Sequence, residues 1–253
     1  MKIITAADAA YKEMVIGAIN MHNQLGYETL VYDLGGLGIG EPFDISDDMD
    51  MIRTTHRTLY TGTNMQKGSF KPKIILHAMM THPNEKWLAW IDADAFAIKQ
   101  IHWVTYFRHF DIAVTMRRKG EHAGTPHPMW DQYINSGVVI IQNTLAMRKF
   151  VMDWIDLVPT TQALSDQEAL NVMCDAPKLV EYNKLYNING YSILNLSTDE
   201  YNFYYFPEQP HDDTKVLHFK GVKDTSLQYF REYYKKHYDA SKNMSWWGMG
   251  VKS

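Results

Sequence analysis

Lys86-Trp-Leu-Ala-Trp-Ile-Asp92-Ala-Asp94-Ala-Phe-Ala-Ile98 decides the fold: an unbroken apolar run, Trp87 to Ile91, leads into two carboxylates one residue apart. A run that apolar reads as a central strand covered on both faces, and ligands of open α/β sheets gather beyond the carboxyl ends of such strands. Asp92 and Asp94 therefore arrive where a ligand sits. Like charges this close repel and lose hydration on burial, so leaving both ionised is costly unless a cation lies between them. A hard divalent ion, Mn²⁺ or Mg²⁺, relieves that cost and also neutralises a diphosphate. Taken alone, an Asp-x-Asp is short and common, and reads more simply as a strand-end turn with solvated carboxylates.

Outward from this stretch, β-branched and aromatic runs alternate with segments of helical period, which predicts an α/β architecture: a mostly parallel, Rossmann-like central sheet flanked by helices. The strands expected are Lys2 to Thr5, Thr29 to Tyr32, Trp87 to Ile91, Ile112 to Met116, Val138 to Gln142, Leu179 to Tyr182 and Val216 to Phe219. Between the first two, Tyr11, Met14, Val15, Ala18, Ile19, His22 and Leu25 recur at helical intervals, and Gly26 closes the helix, giving a βαβ unit. The glycine-rich run from Gly35 to Gly40 follows the second strand and leads into Pro42 and an acidic stretch, so it reads as a plain loop rather than a phosphate cradle. Residues 1–253 are expected to form a single domain, with Tyr201 to Asp213 as a long loop over the sheet. Near the end, Tyr229, Phe230, Tyr233, Tyr234 and Tyr238 stand at helical spacing and pack a helix on the core. The Trp246-Trp247 tail beyond them suits either an acceptor or a second subunit, which leaves a homo-oligomer open.

With 29 acidic against 25 basic residues and a net charge of -4, the chain has no basic field to gather nucleic acid. Its single cysteine, Cys174, makes no internal disulfide and reads as a small buried apolar residue. The opening Met-Lys-Ile-Ile-Thr-Ala-Ala-Asp8 meets an acidic residue too early to read as a signal sequence and no apolar run reaches the roughly 18 residues of a membrane span, so a cytoplasmic location is expected.

Four motifs in order narrow the reading: Asp92-Ala-Asp94 after an apolar strand, Asn135-Ser-Gly-Val-Val-Ile-Ile at another, Ser165-Asp-Gln-Glu-Ala-Leu-Asn171 opening a helix, and Leu217-His-Phe-Lys-Gly221. The set resembles the retaining glycosyltransferases of the GT-A fold, glycogenin-like enzymes above all. The stretch His82-Pro-Asn-Glu-Lys-Trp-Leu-Ala-Trp-Ile-Asp-Ala-Asp-Ala is also similar to α-galactosyl- and xylosyltransferases of that fold.

The resemblance implies transfer of a hexose from a UDP-sugar donor to a carbohydrate acceptor, with Asp92, Asp94 and His218 holding Mn²⁺ (or Mg²⁺) on the diphosphate. Without it, His218 reads as a core histidine. It implies that Tyr11 lies against the uracil and Asp8 contacts base or ribose. The residues themselves leave Tyr11 equally a core position and Asp8 equally a helix N-cap. Ala6 and Ala93 fall among the donor-contacting positions, and Asn135, Ser136 and Gly137 beside the donor sugar, though these three also read as a turn before a strand. Asp166 and Gln167 become the sugar-proximal pair, where a carboxylate steadies positive charge or attacks the anomeric carbon. Ser165 or Asp166 also reads as an ordinary helix cap.

The chain departs from the family's late His-x-x-Gly-x-x-Lys-Pro-Trp: Lys223 falls one residue early, Asp224 follows, and Pro-Trp is missing. A cation for the leaving diphosphate is then left to Lys220 or Lys223 around Gly221, with Lys73 and Arg117-Arg118 as further candidates. The acceptor side is expected in the loops Gly120 to Trp130 and Tyr201 to Asp213. The alternatives are a HAD-like phosphohydrolase, which expects its first Asp on an early strand rather than after ninety-one residues, and a non-catalytic glycan- or nucleotide-binding protein of the same fold.

Overall fold

Lys2–Ala7 (β1) and Thr29–Asp33 (β2) pair in parallel, with helix Lys12–Gln24 (α1) between them in sequence, the βαβ opening expected. The computed structural model describes residues 1–44, 70–102, 104, 109–118, 134–161, 165–221 and 223–239. The loop Gly120 to Trp130 and the Trp246-Trp247 tail lie outside these.

The further elements are Glu41–Pro42 (β3), Lys71–Thr81 (α2), Trp87–Ile91 (β4), Ala95–Ala97 (β5), Ile112–Met116 (β6), Ile134–Gln142 (β7), Leu145–Leu157 (α3), Asp166–Met173 (α4), Lys184–Ile188 (β8), Tyr191–Ser197 (β9), Thr198–Tyr201 (α5), Val216–His218 (β10) and Asp224–His237 (α6). Eight strands form one sheet in the order β3-β2-β1-β4-β7-β6-β9-β8, and β10 pairs with β5 in a second, two-stranded sheet. Strand β4 is central, as its composition demands.

The sheet is mixed: β2–β3, β1–β2, β1–β4 and β6–β9 are parallel, while β4–β7, β6–β7 and β8–β9 run antiparallel. The reversal of β7 matters for the site, because it brings the strand's start, not its end, beside the carboxyl end of β4.

Period-two alternation divides β4 between two cores. Leu88 and Trp90 pack with Ile74, Ile75, Ala78 and Met79 of α2 and with Phe150, Val151 and Trp154 of α3. Trp87, Ala89 and Ile91 face the other way, toward Ala95, Ala97 and Val216 of the small sheet. Each large side chain buried this fully contributes about 1.5–3 kcal/mol over its exposed state.

Leu179 to Tyr182, expected as a strand, is not one; the edge is instead the hairpin β8–β9. Its turn is Asn189-Gly190, with φ of 53° and 83°, the paired left-handed conformations that match strand twist and that this dipeptide adopts readily. The expected strand Val138 to Gln142 begins earlier, at Ile134, so Asn135-Ser136-Gly137 lie inside β7 rather than before it. Register between β6 and β7 shifts there: Thr115 faces Asn135 but Val114 faces Val139. The intervening residues bulge, as strands often do beside a ligand site.

Helix α6 lies against α1 and the small sheet through Phe230 and Tyr233, in one cluster with Met14, Phe96, Phe203 and Phe219. The expected aromatic stripe is therefore core. Buried His22 ties these layers together: its Nε2 accepts the Ala97 N–H at 3.2 Å, which leaves Nδ1 to donate to Thr29 Oγ1 at 3.1 Å. Cys174 is buried, and burial pushes its thiol up, as expected of an apolar filler. Among the described residues no helix is long and apolar enough to cross a membrane.

Candidate metal and donor site

The side chains of Asp92, Asp94 and His218 converge beyond the end of β4, with one potential ligand atom of each within 4.8 Å of the others. Local backbone bonds place them. Ala95 N–H closes a turn onto the Asp92 carbonyl at 3.0 Å and leads into β5, whose Ala95 stands opposite His218 of β10. His218 Nε2 lies 3.2 Å from Asp94 Oδ1, and Gly221 N–H donates to Asp94 Oδ2. Burial opposes the charge on Asp94, but His218 and the Gly221 N–H outweigh it and hold the carboxyl below its ordinary value.

Asn202, which the sequence did not single out, sets the tautomer of His218. Its Nδ2 donates to Thr115 Oγ1 at 2.8 Å, and that hydroxyl donates to the Asn135 carbonyl at 2.8 Å. Asn202 Oδ1 is then an acceptor, 2.9 Å from His218 Nδ1, so Nδ1 carries a proton and Nε2, the nitrogen facing Asp94, is the one that would offer a lone pair to a bound cation. Gly137 makes room for the ring: a Cβ there would meet His218 Cε1 at 2.7 Å and Nδ1 at 2.8 Å.

Asp166 enters from the first turn of α4, whose N-cap is Ser165, bonded through its side chain to Glu168 N–H. Asp166 Oδ2 accepts from Ser136 Oγ at 3.0 Å, and Gln167 Oε1 accepts the Ser136 N–H at 3.2 Å. Burial pushes the Asp166 carboxyl up despite the neighbouring ammonium of Lys71.

That ammonium is the second residue the sequence reading missed. Lys71 opens α2, lies buried, and reaches both Asp92 Oδ1 at 3.0 Å and Asp166 Oδ2 at 3.2 Å. Although burial opposes its charge, Asp166 and Asp92 raise its pKa above the ordinary lysine value. Lys73, the candidate in the same segment, has its Nζ 5.9 Å from the Phe70 ring centroid instead. No spacing rule marks Lys71 out from Lys73; only the direction of the helix does.

Tyr11 precedes α1 at the same edge. Its phenol is pushed up to about 12 by burial, then by the charges of Asp94, Asp92 and Asp8, which places its hydroxyl in their field. Asp8 caps the short 3-10 turn Ala9–Tyr11 by accepting from Ala10 N–H at 3.0 Å. Ala6 is half-buried in β1, and Ala93 is buried beside Ala7 and Val15. Lys220 Nζ stands 3.3 Å from the centroid of the Tyr204 ring, and Lys223 occupies the cap position of α6. Arg118 is taken up by Asp199 at 2.6 Å and Glu208 at 2.7 Å, so its charge serves the 199–208 region. In the glycine-rich loop, the N–H groups of Gly35, Leu37 and Gly38 all point onto the Asp33 carboxylate, which matches a closed loop rather than a phosphate cradle.

Two carboxylates and an imidazole whose Nε2 is turned toward them form a donor set that fits a divalent cation such as Mn²⁺, which takes oxygen and nitrogen ligands together.

No family model and no curated protein matches the chain. Solved structures do. A glycosyltransferase involved in the glycosylation of the major capsid of PBCV-1 superposes with a TM-score of 0.55 at 14% identity, covering 91% of this chain and all of that one. The glycosyltransferase GlyE of Streptococcus pneumoniae superposes with a TM-score of 0.51 at 14% identity, covering 97% of this chain and 60% of that one. At such identity the likeness is one of fold: the chain has the α/β GT-A fold, a large central sheet flanked by helices.

Proposed function

We propose that the chain is a metal-dependent glycosyltransferase that moves a hexose from a UDP-sugar to a hydroxyl of a glycan or other acceptor, with retention of anomeric configuration. One observation carries the proposal: the neighbouring pair Asp92 and Asp94 and the sequence-distant His218 converge within 4.8 Å at the carboxyl edge of the central strand, on a glycosyltransferase fold.

In this reading Asp92, Asp94 and His218 hold Mn²⁺ or Mg²⁺, which when bound supplies positive charge to the departing diphosphate. Tyr11 offers its ring to the uracil and Asp8 a carboxylate to base or ribose, with Ala6 and Ala93 lining the donor. Asn135, Ser136 and Gly137 face the donor sugar. Asp166, fixed by Ser136 Oγ and Lys71, steadies positive charge at the anomeric carbon or attacks it, and Gln167 stands beside it. Lys220, Lys223 or Lys73 adds charge at the diphosphate. The phosphohydrolase reading is not favoured, since the matched fold is that of glycosyltransferases.

The test is thermal-shift screening against UDP and a panel of UDP-sugars with and without Mn²⁺, followed by a transfer assay on the donors that bind. Stabilisation that needs both Mn²⁺ and the nucleotide is the expected result, because ligands that bind only the native state raise its apparent stability. Proton NMR of the fresh product should show the donor's anomeric configuration; an inverted product contradicts retention. Binding without hydrolysis or transfer of any UDP-sugar would favour a non-catalytic binding protein.

A further inference from the structure

Three carboxylates, Asp92, Asp94 and Asp166, share the candidate site with the ammonium of Lys71. Lys71 is 5% exposed, and besides its two carboxylate partners it donates to the Ser136 carbonyl at 2.8 Å and Ser136 Oγ at 2.9 Å. An ammonium has three N–H groups, so four oxygen neighbours saturate it and fix its position. Trp90 Nε1 also donates to Asp92 Oδ1, at 2.6 Å. That oxygen therefore takes two donors, and the second oxygen of Asp92 is the one left to join Asp94 and His218 around a cation.

A fixed positive charge bonded to one ligand of a cation site repels the cation, and burial keeps salt from screening the repulsion. We infer that Lys71 is a resident counter-cation that weakens the hold of Asp92, Asp94 and His218 on a lone divalent ion, so that firm binding needs the anionic diphosphate as well. Lys71 is in this scheme a positioning residue: it acts on the ion through Asp92 and on the sugar-proximal carboxylate through Asp166. The inference rests on the glycosyltransferase reading and deepens it, since it makes the metal–nucleotide complex, rather than the free metal, the species the site retains.

Titration calorimetry with MnCl₂, in the presence and absence of UDP, tests it on the full chain, Lys71→Met and Lys71→Arg. Lys71→Met should bind Mn²⁺ without UDP about tenfold or more tightly than the native chain, whereas Lys71→Arg, which keeps the charge, should stay within about twofold of it. Transfer should fall in Lys71→Met, so tighter metal binding and slower turnover go together, a split that loss of structure does not produce. If circular dichroism shows Lys71→Met unfolded, Lys71→Gln removes the charge while keeping a donor for Ser136. Equal or weaker Mn²⁺ binding by the neutral variant overturns the inference and leaves the glycosyltransferase reading standing. A native chain that binds neither Mn²⁺ nor UDP overturns that reading, and the inference with it.

Discussion

The short segment His218 to Gly221 joins two regions built on opposite principles. On one side His218 and the Gly221 N–H reach Asp94 inside a polar network of Asn202, Thr115 and Asn135. On the other, Phe219 sits among Phe96, Phe206 and Phe230, with ring centroids 5.1–5.4 Å apart. The polar side consists of a few directional bonds whose geometry is fixed and whose net contribution to stability is small. The aromatic side is broad, non-directional burial that stabilises the fold and carries no chemistry. Activity and stability should therefore separate by region, and four measurements press on that separation.

The largest effect is expected at the acid pair. Asp94→Asn keeps shape but removes a ligand charge, and transfer should fall by about a thousandfold, ~4 kcal/mol, with the folded spectrum retained. A variant still turning over at native rate would show that the polar region is not the active site. Next comes Phe230→Ala, at a side chain 2% exposed, which should cost about 3 kcal/mol or more in urea denaturation while the folded fraction retains its specific activity. An activity loss beyond the unfolded fraction would mean that the aromatic layer sets the site's geometry directly.

His22 sharpens the comparison by pH. Burial holds its imidazole down at about 3, against 6.5 in the unfolded chain, so the neutral form is the folded form. Its contribution is present above pH 6.5 and is lost as pH falls toward 3. The loss between pH 7 and pH 5 should be about 2 kcal/mol, and it should disappear from the pH dependence of the urea midpoint in His22→Gln. The smallest effect is expected for Asn202→Ala, which removes the partner fixing the His218 tautomer. Mn²⁺ affinity should drop about tenfold, ~1.4 kcal/mol, as for other groups that orient a ligand from behind. Unchanged affinity would mean that the tautomer is set elsewhere.

Much of this was legible in the chain. Trp87 to Ile91 announces a buried strand, and Asp92 and Asp94 follow directly from it. The α1 stripe and the aromatic period of α6 were equally plain, because helical spacing survives translation into a packed face. Asn189-Gly190 signals the edge hairpin, but the apolar pair Leu179-Val180 upstream carries a competing strand pattern. The bulge that takes Asn135-Ser136-Gly137 into β7 leaves no periodic signature, since it breaks the period by which strands are read.

By itself, then, the sequence determined the α/β class, the central strand and the acid pair at its end, since these depend on burial patterns only a few residues long. Tertiary structure decided the rest: the antiparallel entry of β7, the turn of Asn202 behind His218, and the choice of Lys71 over Lys73 as the buried ammonium. These rest on contacts between residues dozens of positions apart, where one helix's rotation decides which of two neighbouring lysines meets a carboxylate, and no local pattern carries that information.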